Sequence, residues 1–390
     1  MLSAWFHAPT LFIHSGSSPS SSSSRLPMAT SVRIAVVGDV HDDWNLQEDT
    51  KALQFLQPDL VLFTGDFGNE NVELVRSVAN LEMAKVVILG NHDAWTTQQF
   101  SGKKKDGVQL QLECLGKEHV GYRRMDFPVL KLSVVGGRPF SCGGKQLFRK
   151  RLLSARFIVK VKPHGFLQHE SEILKYGSMH LFLFLLAALQ LIEMDSPFRY
   201  GIHDMEASAK RIYETVLGTP EDHVVLFLAH NGPTGLGSNM NDICGVDWVY
   251  GGGDHGDPDL AQAISHLKET TKFSIPLVVF GHMHKELAHG NGHRKMIVVG
   301  EDDTTYLNGA IVPRVKTLIN EQGTSNTSVT NSEAPPFTPE SKGTIRAFTV
   351  VEILDGRLDK IAETWVSVIG DEARVEQEHI LFKSGMELSS

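Results

Sequence analysis

Short apolar runs alternate along this chain with amphipathic stretches of helix length. Arg33-Ile-Ala-Val-Val-Gly-Asp-Val40 is rich in β-branched residues and closes on Gly-Asp, which predicts a buried strand. A helix-compatible stretch from Leu46 to Leu56 follows, then a strand at Leu60–Thr64, a helical pattern from Val72 to Leu81 and a third strand at Lys85–Leu89. The second half repeats the habit. Strands are predicted at Leu130–Val135, Val224–Leu228 and Leu277–Phe280, and helices at Ala207–Leu217 and Leu260–Glu269. Strands alternating with helices imply right-handed crossovers and a parallel sheet covered on both faces, an α/β fold. Near the end, Ala347–Ile353 and Lys360–Val366 flank Asp355-Gly356, a hairpin signal, so antiparallel strands finish the fold.

Composition sets the bounds. The 390 residues are 41% apolar and 21% charged, an ordinary globular balance that makes one large or two small domains. Residues 1–32 hold no Asp or Glu and include the serine run Ser20–Ser24, the character of an organelle transit peptide or of a disordered tail. A plastid location is the expectation, with the cytoplasm as the alternative. The body of the domain spans 33–370, and 371–390 reads as a tail. Residues 322–343, rich in Ser, Thr, Asn and Pro, read as a long solvated loop. From 157 to 199 the rhythm stops and an apolar run, Leu181–Leu189, appears; this segment reads as an insertion. Leu181–Ile192 is too short for a membrane span. Cys114, Cys142 and Cys244 form no C-x-x-C pair, which argues against disulfides and thiolate zinc sites. The formal charge of -9 argues against a nucleic-acid partner but not against a small phosphate ester, because bound cations supply positive charge locally.

Each predicted strand end delivers hard or borderline metal donors. The clusters are Asp39-Val-His41, Gly65-Asp66, Gly90-Asn91-His92-Asp93, His230-Asn231 and Gly281-His282-Met-His284. One histidine after a strand is ordinarily a packed residue; five clusters, each directly after a buried run, are not. Carboxyl ends of parallel strands lie on one edge, where ligands of such sheets bind. Imidazole with carboxylate and no thiolate suits manganese first, then iron or zinc. In Asp39-x-His41 and His282-x-His284, alternate extended residues turn to the same side and reach one site. Two divalent ions about 3.5–4 Å apart would clamp the attacking and leaving oxygens of a displacement and make a bridging hydroxide the nucleophile.

These five blocks, in this order, resemble the signature of the calcineurin-like metallophosphoesterases over roughly Arg33 to Val315. The resemblance implies a four-layer α/β/β/α sandwich and a hydrolase of phosphate monoesters or diesters. It implies that Asp39, His41 and His284 bind one metal, that Asn91, His230 and His282 bind the second, and that Asp66 bridges them. It makes His92 a substrate-side residue that protonates the leaving oxygen, with Asp93 orienting it or capping the next turn. Protein serine/threonine phosphatases carry arginines after the second and third blocks, and purple acid phosphatases a tyrosine after the second aspartate. Phe67-Gly-Asn-Glu70 and Ala94-Trp95 supply neither. The wording is similar to a plant and cyanobacterial branch. Further substrate contacts are expected from Asn69, Arg138, Asn231 and His255, with a surface ion pair as the alternative for Arg138 and a plain glycine loop for His255. Trp44 and Trp95 either wall the pocket or pack. The rival reading is a catalytically silent scaffold of the same family, which would be expected to have lost His92 or several ligands; this chain keeps them.

Overall fold

A computed structural model describes residues 31–101, 104–155, 200–288, 292–318 and 343–385. The expected leader up to residue 30, the 157–199 insertion and the 322–342 part of the long loop lie outside the described residues.

The strands are β1 (Ser31–Val37), β2 (Leu60–Phe63), β3 (Lys85–Val87), β4 (Arg124–Phe127), β5 (Leu132–Gly136), β6 (Val224–Leu228) and β7 (Leu277–Phe280). They continue with β8 (Ile297–Val299), β9 (Thr305–Asn308), β10 (Val315–Leu318), β11 (Gly343–Leu354), β12 (Arg357–Ile369) and β13 (Glu372–Lys383). The helices are α1 (Leu46–Leu56), α2 (Val72–Ala79), α3 (Gly107–Leu115), α4 (Lys150–Leu153), α5 (Met205–Val216) and α6 (Pro258–Thr270). Polar caps start them: the side chains of Asn45, Asn71, Asp106 and Asp204 accept the backbone N–H three residues on. Pro258 opens α6, where a missing N–H costs nothing.

Two mixed sheets result, not the single parallel sheet that the helix–strand rhythm alone predicts. One runs β13-β12-β11-β1-β2-β3 with β10 beside β11; the other runs β4-β5-β6-β7-β9-β8. Each holds a parallel block, β1-β2-β3 and β5-β6-β7-β9, flanked by antiparallel strands. Ile34, Val36, Leu62 and Ile88 from one sheet meet Val134, Leu226 and Val279 from the other in a core between them. The intervening residues Ala35, Val37, Val61 and Phe63 turn outward and pack under the helices. Both faces of the parallel strands are therefore covered, which is why their sequences are unbroken apolar runs rather than alternating ones. This is the expected α/β/β/α sandwich.

The hairpin at Asp355-Gly356 forms with both residues at positive φ, 49° and 75°, the primed-turn geometry that fits strand twist. The tail expected at 371–390 is corrected: Glu372–Lys383 is β13, paired antiparallel with β12 through two register shifts. It is an edge strand exposed along most of its length, so its polar sequence carries no buried stripe to announce it.

Candidate metal centre

The loops after β1, β2, β3, β6 and β7 meet at one edge of the sandwich. Among the described residues, two groups of donors converge there closely enough to hold a metal ion: Asp39, His41 and His284, and Asp66, His230 and His282. In the first, the Nε2 atoms of His41 and His284 come to 3.0 Å, and Asp39 Oδ2 lies 3.6 Å from His284 Nε2. In the second, His230 Nε2 lies 3.4 Å from Asp66 Oδ2 and 2.9 Å from Asn91 Oδ1. Asp66 Oδ2 also reaches to 4.0 Å from His41 Nε2, so one carboxylate stands between the groups.

Backbone conformation makes this convergence possible and costs something. His41, Asp66 and His282 all sit at positive φ (43°, 50° and 67°), a region that residues with a Cβ avoid and that clusters at functional sites. Glycines beside them remove side chains that would collide. A Cβ at Gly281 would strike Asp39 and Thr64; one at Gly90 would strike Asp66 and the His230 ring.

Neighbouring groups fix the donors. Thr64, which the sequence reading passed over, serves twice. Its carbonyl accepts from His230 Nδ1 at 2.7 Å, which leaves Nε2 free as a ligand atom, and its hydroxyl donates to Asp39 at 3.1 Å. Its position directly before Gly65-Asp66 was the available signal. The His282 N–H donates to Asp39, and the His92 N–H donates to Asp66 Oδ1 at 2.8 Å.

The electrostatics are those of a buried anionic cluster. Burial pushes Asp39 up, with Asp66 adding to it against the pull of His230. Burial opposes the ionised form of Asp66 too, but the His230 imidazole overrides it and holds Asp66 well below the usual carboxylate range. His230 is correspondingly raised to about 10 in spite of its burial, by Asp66. Burial lowers His41, His282 and His284, favouring the neutral imidazole that a metal needs. The two donor groups contain carboxylates and imidazoles with no lysine or arginine. That donor set fits borderline divalent cations, and a pair of them neutralises the buried carboxylates.

Other expected residues fall out differently. Asp93 does not touch the His92 ring: its oxygens accept the backbone N–H groups of Asp66, Phe67 and Gly90 at 2.7–2.9 Å, tying two ligand loops together. Burial, with Asp66 nearby, raises its pKa well above the ordinary range. Asn69, expected at the substrate, is what holds His92, with Oδ1 2.7 Å from Nδ1. Arg138 is neither a surface ion pair nor free for a phosphate. It is 1% exposed and bonds Asp257 at 2.7 Å and Asp259 at 3.0 Å. Burial raises the Asp257 carboxyl to about 7 against the pull of Arg138, with Asp259 alongside adding to the rise. Asn231 donates to the His255 carbonyl at 2.8 Å and its own Oδ1 has no partner among the described residues. His255 lies over the His282 ring, centroids 5.8 Å apart, so its loop does border the site. Trp44 packs edge-on against Phe63, whereas Trp95 stacks on His92.

The model of the calcineurin-like phosphoesterases matches residues 32–286, the stretch that carries all of these donors. The chain belongs to the calcineurin-like phosphoesterase family. As such it is a metallophosphoesterase, an enzyme that hydrolyses phosphate esters, with two candidate metal-binding groups of histidine and aspartate. No curated relative matches the chain. A crystal structure of a dimetal phosphatase from Danio rerio is similar over 90% of this chain and 99% of that one, at 12% identity and a TM-score of 0.41. No helix among the described residues is long and apolar enough to cross a membrane.

Proposed function

We propose that this metallophosphoesterase works with two divalent ions, manganese in the first instance, on a small phosphate ester. Asp39, His41 and His284 would hold one ion, Asn91, His230 and His282 the other, and Asp66 both. The observation that carries this is the position of Asp66 Oδ2, 3.4 Å from His230 Nε2 and 4.0 Å from His41 Nε2. When bound, the ions supply Lewis acidity to the phosphoryl oxygens and a nucleophile at neutral pH.

The chain's own residues set the rest. The Thr64 carbonyl fixes the His230 tautomer. Asn69 Oδ1 accepts the Nδ1–H of His92, leaving Nε2 as the ring atom available to the substrate. His92 stands beside His41, ring centroids 5.0 Å apart and edge to face, one ring outside the first donor group. From there Nε2–H donates to a phosphoryl oxygen or hands its proton to the departing alkoxide, a general-acid task suited to imidazole.

The test is turnover by the Mn-loaded full chain across phosphomonoesters, phosphodiesters, cyclic nucleotides, nucleotide sugars and oligonucleotides. Hydrolysis of small esters that chelation abolishes is expected, with oligonucleotides poor because the chain carries a formal charge of -9. No turnover of any ester would sink the reading. The acid-free leader supports a plastid location, which import of residues 1–33 fused to a fluorescent protein would test.

A further inference from the structure

Aromatic rings extend the donor cluster outward on two sides. On one, the Trp95 indole lies parallel over the His92 imidazole, centroids 4.7 Å apart and planes within 10°. On the other, Trp248 meets His255 edge-on at 5.1 Å, and His255 in turn lies over the metal-donor residue His282. Both indoles are half exposed, 49% for Trp95 and 51% for Trp248. Single exposed apolar residues need no explanation. These two are different, because each stands one ring beyond a residue of the cluster.

Trp95 is also held in place rather than left loose. Arg149 Nε donates to the Ala94 carbonyl at 2.7 Å, and its other arm donates to the carbonyl of Trp95 itself. Immediately after it, Glu70 accepts the N–H groups of Thr96 and Thr97, each at 2.8 Å. One face of a pinned indole is covered by His92, so the exposed surface is the opposite face, parallel to the imidazole that contacts substrate. A flat, fixed, open π-face is suited to another ring, since aromatic pairs favour offset stacking and nucleobases of every kind stack on such faces.

We propose that Trp95 is a stacking platform for a flat aromatic group on the substrate, a nucleobase or an aryl ring joined to the phosphate, with Trp248 bounding the site on the far side. This rests on the phosphoester reading above and names its substrate class. The ring anchors part of the ester on one side of His92 while the phosphate lies among the donors on the other. Trp95 is thus a specificity residue, contributing binding that esters without a ring cannot use.

The experiment compares binding of AMP, phenyl phosphate, glycerol 3-phosphate and octyl phosphate to the Mn-loaded full chain, by quenching of tryptophan fluorescence and by calorimetry. Wild type and Trp95→Phe should bind the two ring-bearing probes about tenfold tighter than glycerol 3-phosphate, the usual scale of one stacked base. Trp95→Ala should lose that preference while its metal content, the control for an intact site, stays at the wild-type value. Tight AMP with weak phenyl phosphate identifies a nucleobase; tight binding of both identifies any aromatic ring. Octyl phosphate binding more tightly than either, or a preference that survives Trp95→Ala, overturns the proposal. Turnover of glycerol 3-phosphate without any ring preference would leave the phosphoester reading standing and this one fallen. Failure of the loaded protein to turn over any ester at all would remove both.

Discussion

The Oδ1 atom of Asn69 lies 2.7 Å from Nδ1 of His92, and no carboxylate takes that place. A neutral amide carbonyl fixes which ring nitrogen carries the proton without adding charge beside the cluster, so orientation is separated from electrostatics. His92→Ala should keep both metal ions while its rate falls by about 10²–10⁴, the usual worth of general acid catalysis. The loss should shrink on p-nitrophenyl phosphate, whose leaving group needs little protonation. Asn69→Ala should show the same dependence on leaving group with a smaller fall. Metal content with kcat on an alkyl and an aryl ester checks both variants. Loss of a metal in His92→Ala would make His92 a ligand.

Asp66 touches both donor groups, so its charge belongs to both ions. Metal analysis of the Mn-reconstituted protein should give close to two ions per chain. Asp66→Asn should lower that occupancy as well as the rate, since an amide cannot balance two divalent cations. A chain that binds one ion or none when wild type would end the dinuclear assignment.

Arg138 serves the fold. Replacing it by Met leaves Asp257 and Asp259, both buried, without their counter-charge. Breaking such a pair from one side costs about 3–5 kcal/mol. Urea denaturation should show that loss. A variant of unchanged stability with a raised KM would restore Arg138 to the substrate.

His119 makes the fold acid-sensitive. It is fully buried, and neither ring nitrogen has a hydrogen-bond partner among the described residues. Burial, with Arg123 adding to it, pulls its pKa from 6.5 to about 3. The unfolded chain therefore takes up this proton near pH 6.5 and the folded one only near 3. Stability is complete above that window and falls as the pH drops through it, by at most about 5 kcal/mol. His119→Leu should flatten the slope of urea-unfolding free energy between pH 7.5 and 4.5, measured in chelator so that metal loss does not contribute. An unchanged slope would assign the acid sensitivity to other groups.

Much of the fold was legible because burial on two faces leaves a simple trace. The runs at Leu60, Val224 and Leu277 are strands at or within a residue of where the apolar pattern puts them, and α1 spans Leu46–Leu56 as expected. The hairpin turn was written in Asp355-Gly356. Elements with little buried surface left no such mark: β4 and β10 are short and half-exposed, and β13 is an exposed edge. Periodicity reports which side of a strand is buried but not which strand lies beside it, so the division into two sheets was invisible to it.

The candidate site divides the same way. The sequence by itself determined the donors, because a metal demands particular atoms and those atoms belong to few side chains; Asp39, His41, Asp66, Asn91, His230, His282 and His284 all stand where five strand ends meet. The tertiary structure alone decided who serves them. That Asn69 rather than Asp93 holds His92, that Thr64 holds both His230 and Asp39, and that Arg138 is locked between two aspartates are facts of distance across the fold. Hydrogen-bond partners are chosen by proximity among many residue types able to donate or accept, so no local pattern marks them until the chain has folded.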